Sequence, residues 1–214
     1  MAKRQQRLDG RRREARGTAR AQLLDAAERL LAERGYHATS VDLVAREAGV
    51  SKGAFYWNFD SKEALFLGLL EDRFDSRARG LMALTASAPS DAATADRVGR
   101  GFDDMVEANR RLVLLMTEFW TLAVRDESLR ERWLSRQREL RADLAEALEA
   151  RHETTGVALT MEPERLAAGI IALADGLAMD RVAEPGAIGR GLLAEMLSLI
   201  YDGLVLRAQH AKRE

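Results

Sequence analysis

Three features of this 214-residue chain predict a nearly all-α protein. It has only three prolines, Pro89, Pro163 and Pro185, so long stretches are free of the residue that breaks helix interiors. Ala, Leu, Arg and Glu, all good helix formers, dominate the composition. Apolar residues also recur at helical spacing in one segment after another. At 47% apolar content the chain can build a substantial core, as one large domain or two small ones.

Residues 1–16 show no apolar periodicity and read as a disordered arm. Thr18 is placed to cap a first helix carrying Leu23, Leu24, Ala27, Leu30 and Leu31 on one face. Gly35 is placed to stop it in a left-handed conformation. Thr39 and Asp42 match a capping box for a short second helix with Val41, Val44, Ala45 and Ala48, ended by Gly49. Ser51 can cap a third helix at once, running to about Asn58. Asp60 and Glu63 then suggest a capping box for a long helix to about Leu84. The small polar stretch around TASAPSDAATAD, with Pro89 inside it, reads as a loop. Val98, Phe102, Met105, Val106 and Asn109 mark the next helical stripe. Residues 111–124 form a very apolar helix. Leu129, Trp133, Gln137, Leu140, Leu144 and Leu148 mark a long amphipathic one. Gly156 and Pro163 bracket a loop before two last helices, 163–183 and 188–208.

Charge is uneven. Residues 1–20 hold eight cations (Lys3, Arg4, Arg7, Arg11, Arg12, Arg13, Arg16 and Arg20) against Asp9 and Glu14, a balance of +6. The whole chain is at −1, so the remainder carries −7 (−1 less +6). A basic arm on an acidic body suits a protein that meets a polyanion with one end, and equally a solvated arm with no partner. The absence of cysteine excludes disulfides and thiolate metal sites and suits the cytoplasm. No apolar run reaches membrane length, and no apolar core follows the basic start, so neither a membrane span nor a signal peptide is expected. His37, His152 and His210 are scattered, with no metal-like spacing and no adjacent nucleophile, so no metal, cofactor or catalytic site is expected.

Two short helices separated by three residues make a helix-turn-helix, whose second helix can enter a major groove. Its chemistry fits DNA. The amides near Ser51 can take a phosphate, and Lys52 adds a cation. Gly53 and Ala54 are small enough for close approach, and Ala54 can touch a thymine methyl. Tyr56 offers a hydroxyl to phosphate, while Trp57 and Asn58 can reach base edges or sugars. Thr39, Ser40 and Lys62 stand where flanking phosphates would lie. Phe55, Phe59 and Phe66 read as core.

The string LLDAAERLLAERGYHATSVDLVAREAGVSKGAFYWNFDSKEALF resembles the DNA-binding domain of the tetracycline-repressor (TetR) family, over roughly Thr18 to Arg77. The shared features are the Gly35-Tyr36 corner, Ala45, the Ala48-Gly49-Val50-Ser51 turn, Gly53, Tyr56, Phe59 and Ser61-Lys62-Glu63. Trp57 and Asn58 replace the His or Tyr often found there, so base preference does not transfer. The resemblance implies a recognition helix at Lys52–Asn58, with Tyr56 and Lys62 on phosphates, a homodimer, and an effector pocket in the C-terminal helices. The expected organisation is therefore an arm (1–16), a three-helix DNA-binding domain (17–77) and an effector-binding and dimerisation domain (78–214).

In that last domain, aromatic and methionine residues are candidate pocket lining as well as plain core: Phe74, Met82, Phe102, Met105, Met116, Phe119, Trp120, Trp133 and Met179. Polar residues inside apolar stripes, Asn109, Glu118 and Gln137, are further candidates, because a buried polar group needs a partner. The last two helices carry Ile170, Ala174 and Leu177, and Leu193, Met196, Leu197, Ile200 and Leu204. These are expected to form a four-helix bundle between two copies. The expected partners are double-stranded DNA with a near-palindromic operator, an unidentified and largely hydrophobic small molecule, and a second copy of the chain. The favoured reading is a ligand-released repressor. Control by a partner protein, and activation rather than repression, stay open. A DNA-compaction protein would need a more basic body than −7.

Overall fold

The computed structural model describes residues 2–87, 91–156 and 159–211, with side chains for 17–83, 85, 93–156 and 159–207. Its helices are α1 (Ala2–Ala38), α2 (Val41–Glu47), α3 (Lys52–Asn58), α4 (Lys62–Leu70), α5 (Ser76–Ser87), α6 (Asp91–Ala108), α7 (Arg110–Ala123), α8 (Glu127–Thr155), α9 (Pro163–Ala183) and α10 (Leu192–Ala211). A π-helical turn, Glu71–Asp75, joins α4 to α5.

Several caps differ from the sequence reading. α1 starts at Ala2, not near Thr18, so the segment read as a disordered arm is helical. Arg, Gln, Ala and Glu there are strong helix formers, and a helix already nucleated downstream propagates into them without an apolar face. The α2 cap is Ser40, whose Oγ accepts from the Leu43 amide, rather than Thr39. The α4 cap is Ser61, accepting from the Ala64 amide, rather than Asp60. Ser51 caps α3 as expected, accepting from Ala54 at 3.1 Å. The stretch read as one loop around Pro89 narrows, since α5 runs to Ser87 and α6 begins at Asp91; Pro89 itself lies outside the described residues.

Leu23, Leu24, Ala27, Leu30 and Leu31 of α1 are buried against Val44, Ala45, Phe55, Phe59, Phe66 and Leu69. The same continuous core runs on through Phe102, Val106, Leu112, Val113, Met116, Phe119 and Trp133, so the two halves of the chain share apolar contact. Arg181 of α9, 8% exposed, gives one N–H to Asp103 of α6 at 2.6 Å and another to the Gly189 carbonyl at 2.9 Å. Asp103 also accepts the Gly191 amide at 2.8 Å, so one buried ion pair ties α6, α9 and the start of α10 together.

Candidate DNA-contacting face and effector cavity

The turn between α2 and α3 depends on Gly49, at φ +67. A Cβ there would meet open space, so the backbone conformation itself calls for glycine. Ser40, Ser51, Lys52 and Gly53 are exposed, and Ala54 is half-buried beside them. Tyr56 is 50% exposed and Trp57 72%, on a helix of seven residues. Large aromatics left in solvent beside a glycine and an alanine make a surface shaped for a partner. Lys52 bridges to Asp42 of α2 at 2.7 Å; this hydrogen bond raises its pKa and sets its ammonium at the mouth of the turn.

Three residues expected on this face have other roles. Thr39 is 1% exposed, and its hydroxyl donates to the Gly35 carbonyl at 2.9 Å, so its side chain is core. Asn58 is half-buried and its amide donates to the Ala54 carbonyl at 2.7 Å, folding back on its own helix. Lys62 donates to the Tyr36 carbonyl at 3.0 Å and lies 4.1 Å from that ring's centre, serving the interior of the domain.

Tyr36 is a hub that the sequence did not single out beyond a family corner. Gly35 before it sits at φ 77, ψ 174, a backbone region essentially restricted to glycine. That geometry aims the Tyr36 amide at both carboxylate oxygens of Glu118 on α7, each at 3.1 Å. The Tyr36 hydroxyl donates to Glu63 of α4 at 2.8 Å, and its ring meets Phe66 of α4 and Phe119 of α7 edge-on. Burial, and then the Glu63 carboxylate, push the phenol pKa up, so it stays a donor. Burial also acts to raise the Glu63 pKa, but hydrogen bonds from its own amide, Ser61 and Tyr36 outweigh it and hold the carboxyl below its ordinary range.

Glu118 is thus a junction residue between the two halves, not a pocket residue. Met116, Phe119 and Trp133 are buried core. Asn109 precedes α7 and donates to the Met105 carbonyl at 2.7 Å. Trp120 and Met179 face outward, at 47% and 38% exposure. Their helical spacing was read correctly, but spacing does not tell which side of a helix meets a void.

A cavity of about 180 Å³ lies among α5, α6, α8, α9 and α10. Of the expected pocket residues, Phe74, Met82, Phe102, Met105 and Gln137 line it. So do Ile170, Ala174, Leu193, Leu197, Ile200 and Leu204, which the sequence reading assigned to the dimer interface. Leu177, also assigned there, is 9% exposed and belongs to the main core, and Met196 is half-buried. Both final helices are apolar on more than one face, so periodicity alone picked the inward face. The outward stripe is Gly169, Ala172, Gly176 and Met179 on α9, with Glu195, Leu199, Asp202 and Leu206 on α10. Leu199 and Leu206 are 62% and 56% exposed.

At one end of the cavity Arg136 of α8 makes two bonds, 2.8 and 2.6 Å, to Asp75 of the π turn, which is 1% exposed. Asp175 and Gln137 stand at the same end. At the other, Arg151 of α8 donates to the Thr85 carbonyl at 3.0 Å and to the Thr94 hydroxyl at 3.4 Å. Between them the wall is aliphatic, with Leu140, Leu144 and Leu148 on α8. Among the described residues, no cluster of side chains could hold a metal ion and no helix is long and apolar enough to cross a membrane.

Residues 23–69 match the family model for the N-terminal domain of bacterial regulatory proteins of the tetR family, and residues 96–205 match that of the BetI-type transcriptional repressor C-terminal domain. YerO, an uncharacterised helix-turn-helix regulator of Bacillus subtilis, is 33% identical over 99 residues, 45% of this chain and 34% of its own length. TtgR of Pseudomonas putida is 44% identical over 52 residues, 24% of this chain and 25% of its own length. The chain thus spans about a third or less of the length of the curated relatives first matched. Solved structures align over far more. A transcriptional regulator of Rhodococcus sp. RHA1 has a TM-score of 0.60 at 27% identity, over 88% of this chain and 96% of that one. The fatty acid degradation regulator FadR of Bacillus halodurans has a TM-score of 0.66 at 18% identity, over 86% and 97%, and shows the fold alone. Family members bind DNA operators, typically as dimers, and are regulators rather than enzymes. With the helix-turn-helix and the helical domain behind it each matched by a model of that kind, this chain belongs to the TetR family of bacterial transcriptional regulators.

Proposed function

We propose that the chain works as a homodimer on a near-palindromic operator and that a largely hydrophobic small molecule in the cavity releases it, making it a repressor. One observation carries this reading: the helical run from Lys62 to Ser87 begins on the DNA-binding unit and ends as a cavity wall. Its first turn holds the Tyr36 corner through Lys62 and Glu63. Its π turn presents Asp75 to Arg136 at the cavity end, and π turns often sit where function needs an adjustable helix. A ligand that shifts Arg136 or α5 would therefore tilt α4 and with it α3.

Two recognition helices must match successive major grooves together, about 34–36 Å apart, so a small tilt misplaces one of them. The coupling expected is about 1–3 kcal/mol. The aliphatic walls call for a largely hydrophobic effector. The outward stripe of α9 and α10, carrying Met179, Leu199 and Leu206, is the proposed dimer face. Selecting bound DNA from a random pool gives the operator, expected with two-fold symmetry. Ligand affinity is then titrated with and without that operator. Reciprocal coupling requires DNA to weaken ligand binding by the factor with which ligand weakens DNA binding. Equal ligand affinity in the two titrations would sink the switch.

A further inference from the structure

The cavity holds one carboxyl group that its surroundings leave unanswered. Asp175 of α9 lines it and makes no hydrogen bond or ion pair with any described residue. The charged groups facing it are Arg136 of α8 and Asp75 of the π turn. Arg136 is already bonded twice to Asp75, so that pair is nearly self-neutralised. With Asp175 ionised, the cavity end carries a surplus of one negative charge. Its one other polar neighbour among the lining residues there is the neutral Gln137.

From this end to Arg151 the cavity follows α8 for fifteen residues, about 22 Å at 1.5 Å per residue. The wall between is mostly Leu, Ile, Ala, Val, Met and Phe, with Tyr201 among them. The cavity therefore runs along a largely aliphatic wall with a carboxyl at one end and Arg151 at the other.

We propose that Asp175 is the recognition residue for an elongated aliphatic effector bearing a terminal protonated amine. The ammonium would give Asp175 the charge-assisted hydrogen bond it lacks, and the chain would replace void along Leu140, Leu144 and Leu148. This rests on the cavity being the effector site. It adds the chemical class of the ligand and the residue that selects it. Burial pushes the Asp175 pKa up to about 6, against the lowering effect of Arg136. An alkylammonium keeps its proton through that range, so its affinity rises as Asp175 ionises. Binding should strengthen from about pH 5 to about pH 7.

Calorimetric titration of the full-length, DNA-free protein with octylamine, octanol and octanoate tests the assignment. Octylamine is expected to bind tightest, with the stated rise with pH. Asp175→Asn should weaken octylamine by about ten- to hundredfold and abolish its pH dependence, while octanol affinity moves less than about twofold. Unchanged octanol binding also shows that the variant is folded. The proposal is overturned if octanoate binds tightest, which would move the polar end to Arg151. It is equally overturned if the three probes bind alike, if none binds, or if Asp175→Asn binds octylamine like the parent. Operator affinity is measured separately. A ligand that binds in the expected order and leaves operator affinity unchanged upholds this assignment while defeating the release mechanism.

Discussion

Asp175 illustrates how a single residue can bind stability to pH. Its carboxyl is held near a pKa of 6 by burial, against an ordinary 3.8. Between those values the folded state keeps a proton that the unfolded state has lost, so stability falls as pH rises from about 4 through 6. The loss levels off above that, at a scale of about 3 kcal/mol. Asp175→Asn removes the cost. It should match the parent near pH 4 and exceed it near pH 8 by about 1–3 kcal/mol, read by urea unfolding at both pH values. The same gap at both would mean that the carboxyl is not buried in the free protein. On the proposed DNA-contacting face, residues divide by what they can read. Tyr56 offers only a hydroxyl, so Tyr56→Phe should weaken all sequences alike, by about 1 kcal/mol. Trp57 is the most exposed of the large apolar side chains described, at 72%. Trp57→Ala should shift the preferred sequence in a binding-site selection, and an unchanged preference would remove it from the readout. Lys62→Ala is no clean phosphate test, because it also strips the Tyr36 corner.

Between elements, the contact that joins the two halves is the Tyr36 amide on Glu118. α1, α4 and α7 converge there through two carboxylates, Glu118 and Glu63, one phenol and the Phe66–Phe119 stack, whose ring centres are 4.8 Å apart. Glu118→Ala would leave the Tyr36 N–H without its acceptor in a part-buried place, costing about 1–3 kcal/mol of stability. It should also reduce the factor by which ligand changes operator affinity, because α7 would no longer hold the corner that α4 moves. The check is the ligand-coupling titration on this variant beside the parent. Full coupling despite lowered stability would place the transmission in α4 alone. Glu118 also shows why the sequence misplaced it: a carboxylate in the apolar run LLMTEFWTL demands a buried partner, and that partner can be a ligand or a backbone amide far away along the chain. The amide lies 82 residues back in sequence, which periodicity does not register.

For the whole molecule, the same limit governs the proposed dimer face. Residues 163–183 matched the observed α9 without error, and α10 was misjudged only at its ends. Yet both helices turn their strongest apolar stripe inward onto the cavity. Leu199→Asp with Leu206→Asp should therefore give monomers by sedimentation and abolish tight operator binding, since both substitutions fall on exposed sites and leave the fold intact. Charge at Leu193, by contrast, would unfold the subunit core, as that residue is 4% exposed. A double variant that remains dimeric would reassign the interface. The arm adds a second test at this scale. Deleting residues 1–16 removes seven cations, and the salt slope of operator binding should fall by about 0.9 for each one that sits on a phosphate. An unchanged slope would make the arm a bystander.

The sequence by itself determined the helical class, the order of the elements, the helix-turn-helix and its solvent-facing aromatics. These depend on local information: capping residues, a glycine at positive φ, and apolar spacing along a single helix. The tertiary structure alone decided which face of each apolar helix meets the core, the cavity or solvent, that Thr39 and Lys62 serve the interior, and that Asp175 rather than Glu118 stands in the void. Those outcomes depend on where helices far apart in sequence pack against one another. A void or a buried partner is a property of several helices at once, and no one helix carries its signature.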